Sequence, residues 1–350
     1  MPRNCIGLDV GSSAIKLVHT KTEKRGSSLL AFGMEPLPPQ TIVDGTMMNQ
    51  GAVVEGIRAL LARLKVRHKE VALAVAGHSV IIKKIAVPRM TKEELEEQII
   101  WEAEHHIPFA KEDVETDYQI LNPSTPQGQM EVLLVAAKKE VVHDYASAAR
   151  EAGLIPMVVE VAAFSLQNAF ELGYQLAETE TVALINVGAT ISTINVVGRG
   201  LSNFTRDVTI GGNAFTEEIQ KQLSVTYEEA DAFKIGGAES GQEVVPREVE
   251  RILGHVADIM AGEFQRSLDF YLATSADGGL TRIYLAGGSA KIPALRRAVQ
   301  QKSRLPVEVM DPFVGLAVDG GKFDVAYLRA NAPLAAVAVG LSLRHSGDNL

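Results

Sequence analysis

The chain contains one short pattern twice, near its start and near its middle. Each copy runs from an apolar stretch through a glycine-centred turn with hydroxyl side chains into a second apolar stretch, and the copies span residues 6–18 and 183–197. A hairpin of this kind offers backbone N–H groups and hydroxyls to an anion. Two such hairpins half a chain apart therefore predict two related domains that close on one phosphate tail.

Length and composition narrow the class of protein. The 350 residues suffice for two domains with separate cores, and a hydrophobic fraction of 46% is typical of globular chains. The net charge of -9 argues against nucleic acid as a partner, because it implies no broad basic face. Cys5 is the single cysteine, which excludes an internal disulfide and a cysteine-based zinc site and is typical of a reducing compartment.

No targeting or membrane-spanning segment is expected. The apolar run from Leu334 to Leu343 is too short to cross a bilayer, and the first residues lead directly into a strand pattern. The C-terminal residues are polar and carry no amphipathic helix pattern. We therefore expect a cytoplasmic protein that associates with a membrane only through partners.

The first half combines an α/β pattern with an inserted block. A helix pattern over 51–66 and strand patterns over 70–76 and 80–87 predict α/β layers. The sequence pattern changes at Pro88. A capping box of Thr91 and Glu94 then starts a helix that ends before Pro108. The block continues with strands over 114–121 and 130–137 and a helix over 139–153. These features predict a compact α+β unit over residues 88–153 inserted in the first domain.

Helices and a second glycine turn follow the second hairpin. The expected helices begin at Gly211-Gly212-Asn213, at a capping box of Thr226 and Glu229, and near Val245, the last of them continuing to Thr274 with a core-facing apolar stripe. The strand at 283–286 then enters Gly287-Gly288-Ser289, where the absence of side chains would let a ligand approach the backbone.

The ordered set of motifs resembles the actin/Hsp70/sugar kinase superfamily. Residues 9–13 match its first phosphate loop, 186–190 its second, and 285–290 its adenosine motif. Its two connecting helices would fall at 161–169 and 332–340. The fold class that this implies is α/β, with duplicated actin-like (ribonuclease H-like) domains.

Within that superfamily the chain resembles the PilM family of type IV pilus assembly proteins, on the FtsA-like branch. The resemblance rests on Val87-Pro88, on the helix over 102–109 that ends in Ile-Pro-Phe, on Asp117-Tyr118, and on residues 210–213 and 229–234. It implies subdomain 1A over 1–87 and 154–180 with the C-terminal helix 332–344, inserted subdomain 1C over 88–153, subdomain 2A over 181–210 and 275–331, and subdomain 2B over 211–274.

The same resemblance implies that the chain binds ATP with Mg²⁺. Asp9 would organise Mg²⁺ through water, since this ion keeps much of its hydration shell, or would only cap the turn. Lys16 would neutralise phosphate charge or would be a surface lysine, because strand alternation does not fix its face. The implied cofactor-binding residues are Gly11, Ser12, Ser13, Lys16, Gly188, Ala189, Thr190, Gly211, Gly212, Asp231, Lys234, Gly287, Gly288, Ser289 and Lys291.

Two departures from the superfamily pattern bear on catalysis. Asn186 stands where ATP-hydrolysing members usually carry aspartate, and an amide cannot act as a base or place a full charge near the metal. Ala162 occupies the position expected for the group that orients the attacking water, and Glu160 would be misplaced for that task. We therefore predict no catalytic residue and slow ATP hydrolysis or none, which a turnover above about 1 s⁻¹ would contradict.

The PilM resemblance also implies a partner. Members of the family bind the cytoplasmic N-terminal tail of the membrane protein PilN, in a groove between subdomains 1A and 1C. The strand pair within 71–87 and the helix from Thr91 are the candidate walls, and Trp101 is either an aromatic anchor or a core residue. Pilus motor ATPases and the platform protein are further candidate partners. This makes the chain an adaptor at the inner face of the cytoplasmic membrane.

Four alternatives stay open at this point. An FtsA-like cell-division protein would be expected to add a C-terminal amphipathic helix. A small-molecule kinase of the same superfamily would need a catalytic base near the γ-phosphate, which the expected strands do not offer. An MreB-like filament former would have a different insertion, and a type II secretion component would share both the fold and the kind of membrane tail.

Overall fold

The computed structural model describes residues 4–24, 26–235, 247–275 and 279–348. The strands are β1 (Ile6–Val10), β2 (Ala14–Glu23), β3 (Gly26–Pro36), β4 (Ile42–Val43), β5 (Thr46–Met47), β6 (Glu70–Val75), β7 (Val80–Pro88), β8 (Val114–Asn122), β9 (Gln129–Lys138), β10 (Ile155–Val161), β11 (Thr181–Val187), β12 (Ser192–Gly198), β13 (Leu201–Val208), β14 (Arg282–Ala286), β15 (Val307–Val309) and β16 (Leu316–Ala317). The helices are α1 (Gln50–Leu64), α2 (Lys92–His106), α3 (Lys139–Glu151), α4 (Ala162–Gly173), α5 (Asn213–Leu223), α6 (Tyr227–Ile235), α7 (Arg247–Thr274), α8 (Pro293–Ser303), α9 (Val325–Asn331) and α10 (Ala336–Leu341).

Two sheets repeat one strand arrangement. The first has the order β10-β6-β1-β2-β3-β16 and the second the order β13-β12-β11-β14-β15. In each sheet three successive strands pair antiparallel, and two parallel strands continue on the other side of the first of them. The repeated connectivity confirms the predicted duplicated α/β fold of the actin type.

Helices α4 and α10 join the two sheets. A single apolar core contains Val18 and Phe32 of the first sheet, Leu166 of α4, Leu184 of the second sheet and Val339 of α10. The helices pack closely because a Cβ on Gly340 would lie 1.7 Å from the Ser165 carbonyl oxygen. They lie where the two connecting helices were expected, and their packing fixes one domain against the other.

A three-stranded antiparallel sheet, β7-β9-β8, forms a separate unit with α2. The capping box predicted at the start of α2 is confirmed, because Thr91 N–H donates to Glu94 at 2.8 Å and Glu94 N–H donates to the Thr91 hydroxyl at 3.2 Å. Trp101 is 62% exposed with Lys111 over its ring, so its interpretation as a core residue is wrong.

The limits of this unit differ from the predicted 88–153. Strand β7 pairs with β9 along its whole length, so the three-stranded sheet begins at Val80, before the texture change at Pro88. Helix α3 buries Val141 and Tyr145 in the core of the first sheet and belongs to that layer. The chain enters and leaves the unit at adjacent residues, since Lys138 N–H donates to the Ser79 carbonyl at 2.9 Å.

The helices of the second half follow the predicted pattern. The second capping box forms, with Thr226 N–H donating to Glu229 at 2.9 Å. The apolar stripe of α7, which includes Val249, Met260 and Phe264, is buried against the second sheet. The predicted start of that helix near Val245 lies outside the described residues.

Cys5 is fully buried immediately before β1. Burial raises the pKa of its thiol to about 11, with smaller contributions from the negative charges of Glu70 and Asp348. The thiol is therefore neutral near pH 7 and suited to packing. Across the described ranges, no helix is both long and apolar enough to span a bilayer.

Candidate functional site

A cleft of about 1350 Å³ opens between the two domains. Both hairpin turns, the start of α5, helix α6 and the turn after β14 contribute to its walls. Of the residues predicted to bind the cofactor or metal, the following line it: Asp9, Gly11, Ser12, Ser13, Lys16, Gly188, Ala189, Thr190, Gly212, Asp231, Lys234, Gly287, Gly288, Ser289 and Lys291. The structure thus brings together residues that lie up to 282 positions apart in the sequence.

The two glycine turns face each other across the cleft. The hydroxyls of Ser12 and Thr190 are 3.1 Å apart and share a hydrogen bond. Each turn is closed in the same way, by Gly11 N–H donating to the Ala14 carbonyl at 3.1 Å and by Gly188 N–H donating to the Ile191 carbonyl at 3.0 Å. The repeated hairpin therefore produces one pair of facing loops at one end of the cleft.

Asp9 and Lys16 are opposite each other on β1 and β2 and form an ion pair of 3.1 Å. The Lys16 side chain is only 12% exposed and lines the cleft, so it does not lie on the outer surface. The corresponding positions of the second hairpin hold Asn186 and Thr193, which carry no charge. At these matched positions the first hairpin therefore holds an acid–base pair and the second hairpin holds uncharged polar side chains.

The second phosphate loop is anchored to the start of α5. Gly212 N–H donates to the Gly188 carbonyl and Asn213 N–H to the Ala189 carbonyl, both at 2.8 Å. Gly211 lies beneath this loop, because a Cβ there would be 2.5 Å from the Ala189 carbonyl oxygen. It is not among the residues that line the cleft, so its contact with the nucleotide stays a prediction.

The turn after β14, where the adenosine motif was predicted, forms another wall of the cleft. Gly287 has φ of +85°, and a Cβ there would lie 2.3 Å from the Val187 carbonyl oxygen, so the turn requires glycine. Across from it, Lys234 donates to the Thr216 hydroxyl at 2.9 Å and forms an ion pair with Asp231. The side chains of Lys234, Thr216 and Asp231 thus hold one another in place at this wall of the cleft.

These residues fit a nucleotide with Mg²⁺. The glycine turns leave room where a Cβ would close the cradle, and Lys16 supplies one positive charge beside them. In the part of the chain that the structure describes, no cluster of three or more His, Cys, Asp or Glu side chains is found. A single carboxylate such as Asp9 suits Mg²⁺, which binds mainly through water and phosphate oxygens in nucleotide sites.

Glu160 lies outside the cleft. Its side chain is buried, accepts hydrogen bonds from the Ser165 hydroxyl at 2.7 Å and the Asn168 amide at 3.1 Å, and is ion-paired with Arg344. Ala162, in contrast, lines the cleft. The expectation that Glu160 is misplaced for orienting an attacking water agrees with this geometry.

The cleft also contains polar residues that were not predicted from the sequence. Tyr145 lines it, and burial together with the charge of Asp9 raises the pKa of this tyrosine, which keeps its hydroxyl protonated. Thr193 occupies the position opposite Asn186, and its hydroxyl donates to Asp207 at 2.7 Å. The matched register of the two hairpins would have identified Thr193, since it corresponds to Lys16.

A smaller cavity of about 270 Å³ lies behind the cleft. We call it the rear groove, and its lining residues are Ala76, Gly77, His78, Val80, Ile81, Ile82, Lys83, Val161, Ala163, Thr193, Thr205, Arg206 and Asp207. Strand β7 of the inserted unit forms one side, the end of β10 another and β13 of the second domain the third. Ala76 and Thr193 line both cavities, so the two share a wall.

Comparison with known proteins gives a consistent result. The family model for type IV pilus assembly protein PilM matches residues 7–346. A solved PilM-PilN type IV pilus biogenesis complex contains a chain that is 27% identical, with a TM-score of 0.87 and full coverage of both chains. The ethanolamine utilization protein EutJ from Carboxydothermus hydrogenoformans is 17% identical with a TM-score of 0.61, covering 98% of this chain and 90% of that one. MreB5 of Spiroplasma citri bound to AMPPNP is 14% identical with a TM-score of 0.52, covering 97% and 94%, and like EutJ shows a shared fold only.

Proposed function

This chain belongs to the PilM family of type IV pilus assembly proteins, and we propose that it is an ATP-binding adaptor that captures the N-terminal tail of PilN at the cytoplasmic face of the membrane. The observation that carries the proposal is the likeness to the PilM chain of a PilM-PilN complex over the full length of both chains. The facing phosphate loops and the rear groove support it with one candidate site for each ligand.

The nucleotide would lie across the domain cleft. Its β- and γ-phosphates would bind the turns 11–13 and 188–190, where N–H groups and hydroxyls supply donors and Lys16 supplies charge. The sugar and base would contact the turn 287–289 and the linked pair of Asp231 and Lys234. Bound Mg²⁺ would neutralise part of the phosphate charge, with Asp9 as its outer-sphere carboxylate.

Hydrolysis is expected to be slow or absent. Asn186 provides an amide where a base would be needed, and Ala162 provides no polar atom at all. Glu160 is fully engaged by three partners elsewhere. The nucleotide would therefore act as a clamp between the domains, and its binding energy would add to the stability of the folded state.

Replacing Asp9 by alanine should weaken Mg-ATP binding by about tenfold or more, a loss of about 1.4 kcal/mol. In EDTA the same variant should bind ATP at least as well as the wild type, because the change removes a negative charge beside the phosphates and releases Lys16 from its partner. The measurement is the rise in melting temperature with 1 mM ATP, taken with and without Mg²⁺.

Asp269→Ala is the matched control, since Asp269 lies on α7 and accepts from Gln265 one turn away. It should retain the wild-type rise in melting temperature. Equal rises in Asp9→Ala and the wild type would refute the assignment of Asp9 to the metal. No rise in any of the three proteins would argue against a nucleotide site.

The PilN tail would bind in the rear groove as an extended segment. The groove lies where the first domain meets strand β7 of the inserted unit, which fits one of the two predicted walls; the other predicted wall, the helix from Thr91, does not line it, and the second domain closes that side. Its walls combine apolar groups such as Ile82 with the exposed cations Lys83 and Arg206. A preformed groove suits a disordered tail, which loses its conformational freedom only on binding. Motor ATPases and the platform protein stay candidate partners for other surfaces.

Calorimetric titration with a synthetic PilN tail should give a dissociation constant in the micromolar range or below, equivalent to about -8 kcal/mol. Ile82→Asp should weaken it by at least tenfold, because a carboxylate would then have to be desolvated in an apolar part of the groove. Ile259→Asp, on a 48% exposed residue of α7, is the matched control and should bind normally.

The outcomes separate the alternatives. Normal binding by Ile82→Asp would move the tail to another surface while keeping the adaptor function. No binding by the wild type, with or without Mg-ATP, would overturn the adaptor and favour the division-protein or kinase alternatives.

A further inference from the structure

We propose that Asp207 couples the nucleotide cleft to the rear groove, so that nucleotide binding changes the affinity of the groove for the PilN tail. This inference rests on the proposed function, since it regulates the two sites described there. It is carried by a different observation, the pair of hydrogen bonds that one carboxylate makes to both domains.

Asp207 bridges the domains behind the cleft. It lies on β13 of the second domain, where one oxygen accepts from the Thr193 hydroxyl at 2.7 Å. The other oxygen accepts from the backbone N–H of Gly77 in the first domain, at 2.5 Å. Hydrogen bonds to a carboxylate are shorter and stronger than neutral ones, so a single side chain fixes two groups from opposite domains.

Both partners of Asp207 are placed to carry a signal. Thr193 lies three residues after the end of the second phosphate loop and lines both cavities. Gly77 begins the turn that leads into β7, the strand that forms one side of the rear groove. A shift of the second domain would therefore act through Asp207 on the start of the inserted unit.

The turn at Gly77 is tightly packed against residues of both domains. Gly77 has φ of +89°, and a Cβ there would lie 3.0 Å from the side chain of Ile191, the residue directly after the second phosphate loop, and 3.2 Å from the Asp44 carbonyl oxygen. Val80 N–H donates to the Gly77 carbonyl at 3.0 Å, which links the turn directly to β7. The turn thus contacts the second domain in two ways, through the backbone N–H of Gly77 on Asp207 and through its packing beside the Ile191 side chain.

Nucleotide that holds the two phosphate loops together favours the domain arrangement in which Asp207 reaches Gly77. That arrangement fixes the turn and the first residues of β7, which line the groove. By thermodynamic linkage, a tail that prefers the fixed groove strengthens nucleotide binding by the same factor. A tail that binds better when the turn is free instead weakens nucleotide binding, by the factor by which nucleotide weakens tail binding. An increase or a decrease in affinity would therefore both indicate coupling through Asp207.

The test is a double titration with full-length protein. The dissociation constant of the synthetic tail is measured with saturating Mg-AMPPNP and without nucleotide, and the ratio of the two is the coupling. The wild type should give a ratio that departs from one by about fivefold or more, within the usual range for coupled sites. Asp207→Ala and Thr193→Val should bring the ratio within about twofold of one, and Asp269→Ala should leave it unchanged.

Amide hydrogen exchange measures the same coupling directly at the turn and at β7. Mg-AMPPNP should protect the amides of the turn at 77–79 and of β7 in the wild type but not in Asp207→Ala. Protection of the turns 11–13 and 188–190 should persist in both, which shows that the variant is folded and occupied. Thr193→Val supplies a second variant if Asp207→Ala does not fold.

Each outcome decides one of the two claims. A wild-type ratio in Asp207→Ala, or exchange of β7 that nucleotide does not alter in the wild type, overturns the coupling and leaves tail capture intact. Nucleotide-dependent protection of β7 that is lost in Asp207→Ala, together with no tail binding, supports the coupling and overturns the adaptor. Failure of the wild type to bind Mg-AMPPNP overturns the coupling and the nucleotide site together.

Discussion

Replacing Glu160 by alanine should lower the free energy of unfolding by about 3 kcal/mol or more. The change leaves the largely buried Arg344 guanidinium with only the more distant Asp348 carboxylate, at 3.9 Å, and removes an acceptor of Ser165 and Asn168. Removing one member of a buried ion pair costs about 3–5 kcal/mol because the other charge stays desolvated. Urea unfolding followed by circular dichroism measures the loss.

The control is Glu308→Ala, which breaks the exposed pair between Arg282 and Glu308. An exposed pair contributes about 0–1 kcal/mol, so this variant should unfold nearly as the wild type does. Glu160→Ala should still bind Mg-ATP, since Glu160 lies outside the cleft. Unchanged stability with altered ATP turnover would instead make Glu160 a catalytic group and contradict our assignment.

Gly340→Ala should destabilise the protein by about 3 kcal/mol and loosen the junction of the two domains. Its Cβ would lie 1.7 Å from the Ser165 carbonyl oxygen, so α4 and α10 would have to move apart. Overpacking of a tight core typically costs about 1–3 kcal/mol and sometimes more, and here the obstacle is backbone. Thermal unfolding with and without Mg-ATP measures both the loss of stability and the effect on the cleft.

Gly254→Ala tests the same substitution in a helix that has room for it. Gly254 lies within α7 and a Cβ there would meet no atom within 4 Å. Alanine should stabilise this position by roughly 0.5–1 kcal/mol, because glycine loses more conformational freedom on folding. If both glycine variants unfolded alike, close packing of α4 on α10 would not be what holds the domains together.

The hairpins, caps and apolar stripes were predictable because each depends on neighbouring residues. The turn around Gly188 and the capping box of Thr91 with Glu94 are local patterns, and both are present in the structure. The convergence of the two loops could be predicted only by resemblance to known proteins. Their contact through Ser12 and Thr190 joins residues 178 positions apart, for which no local pattern exists.

The predicted boundary of the inserted unit differs from the structure because pairing between strands distant in sequence overrides the local change of composition. Pro88 changes the composition of the chain, but the pairing of β7 with β9 decides to which sheet residues 80–88 belong. Asp207 gave no sequence signal, because its importance comes from a partner 130 positions away.

The hydrogen bond between Ser79 and Lys138 bears on how the inserted unit can vary in evolution. Because the inserted unit leaves the first domain and returns to it at the same point, its length and surface can vary without any rearrangement of the sheet that carries it. The same pair of domains can thus carry inserted units of different size and surface. A graft that exchanged residues 80–137 between relatives should leave the cleft of the recipient in place, because the chain would enter and leave the new unit at the same adjacent residues.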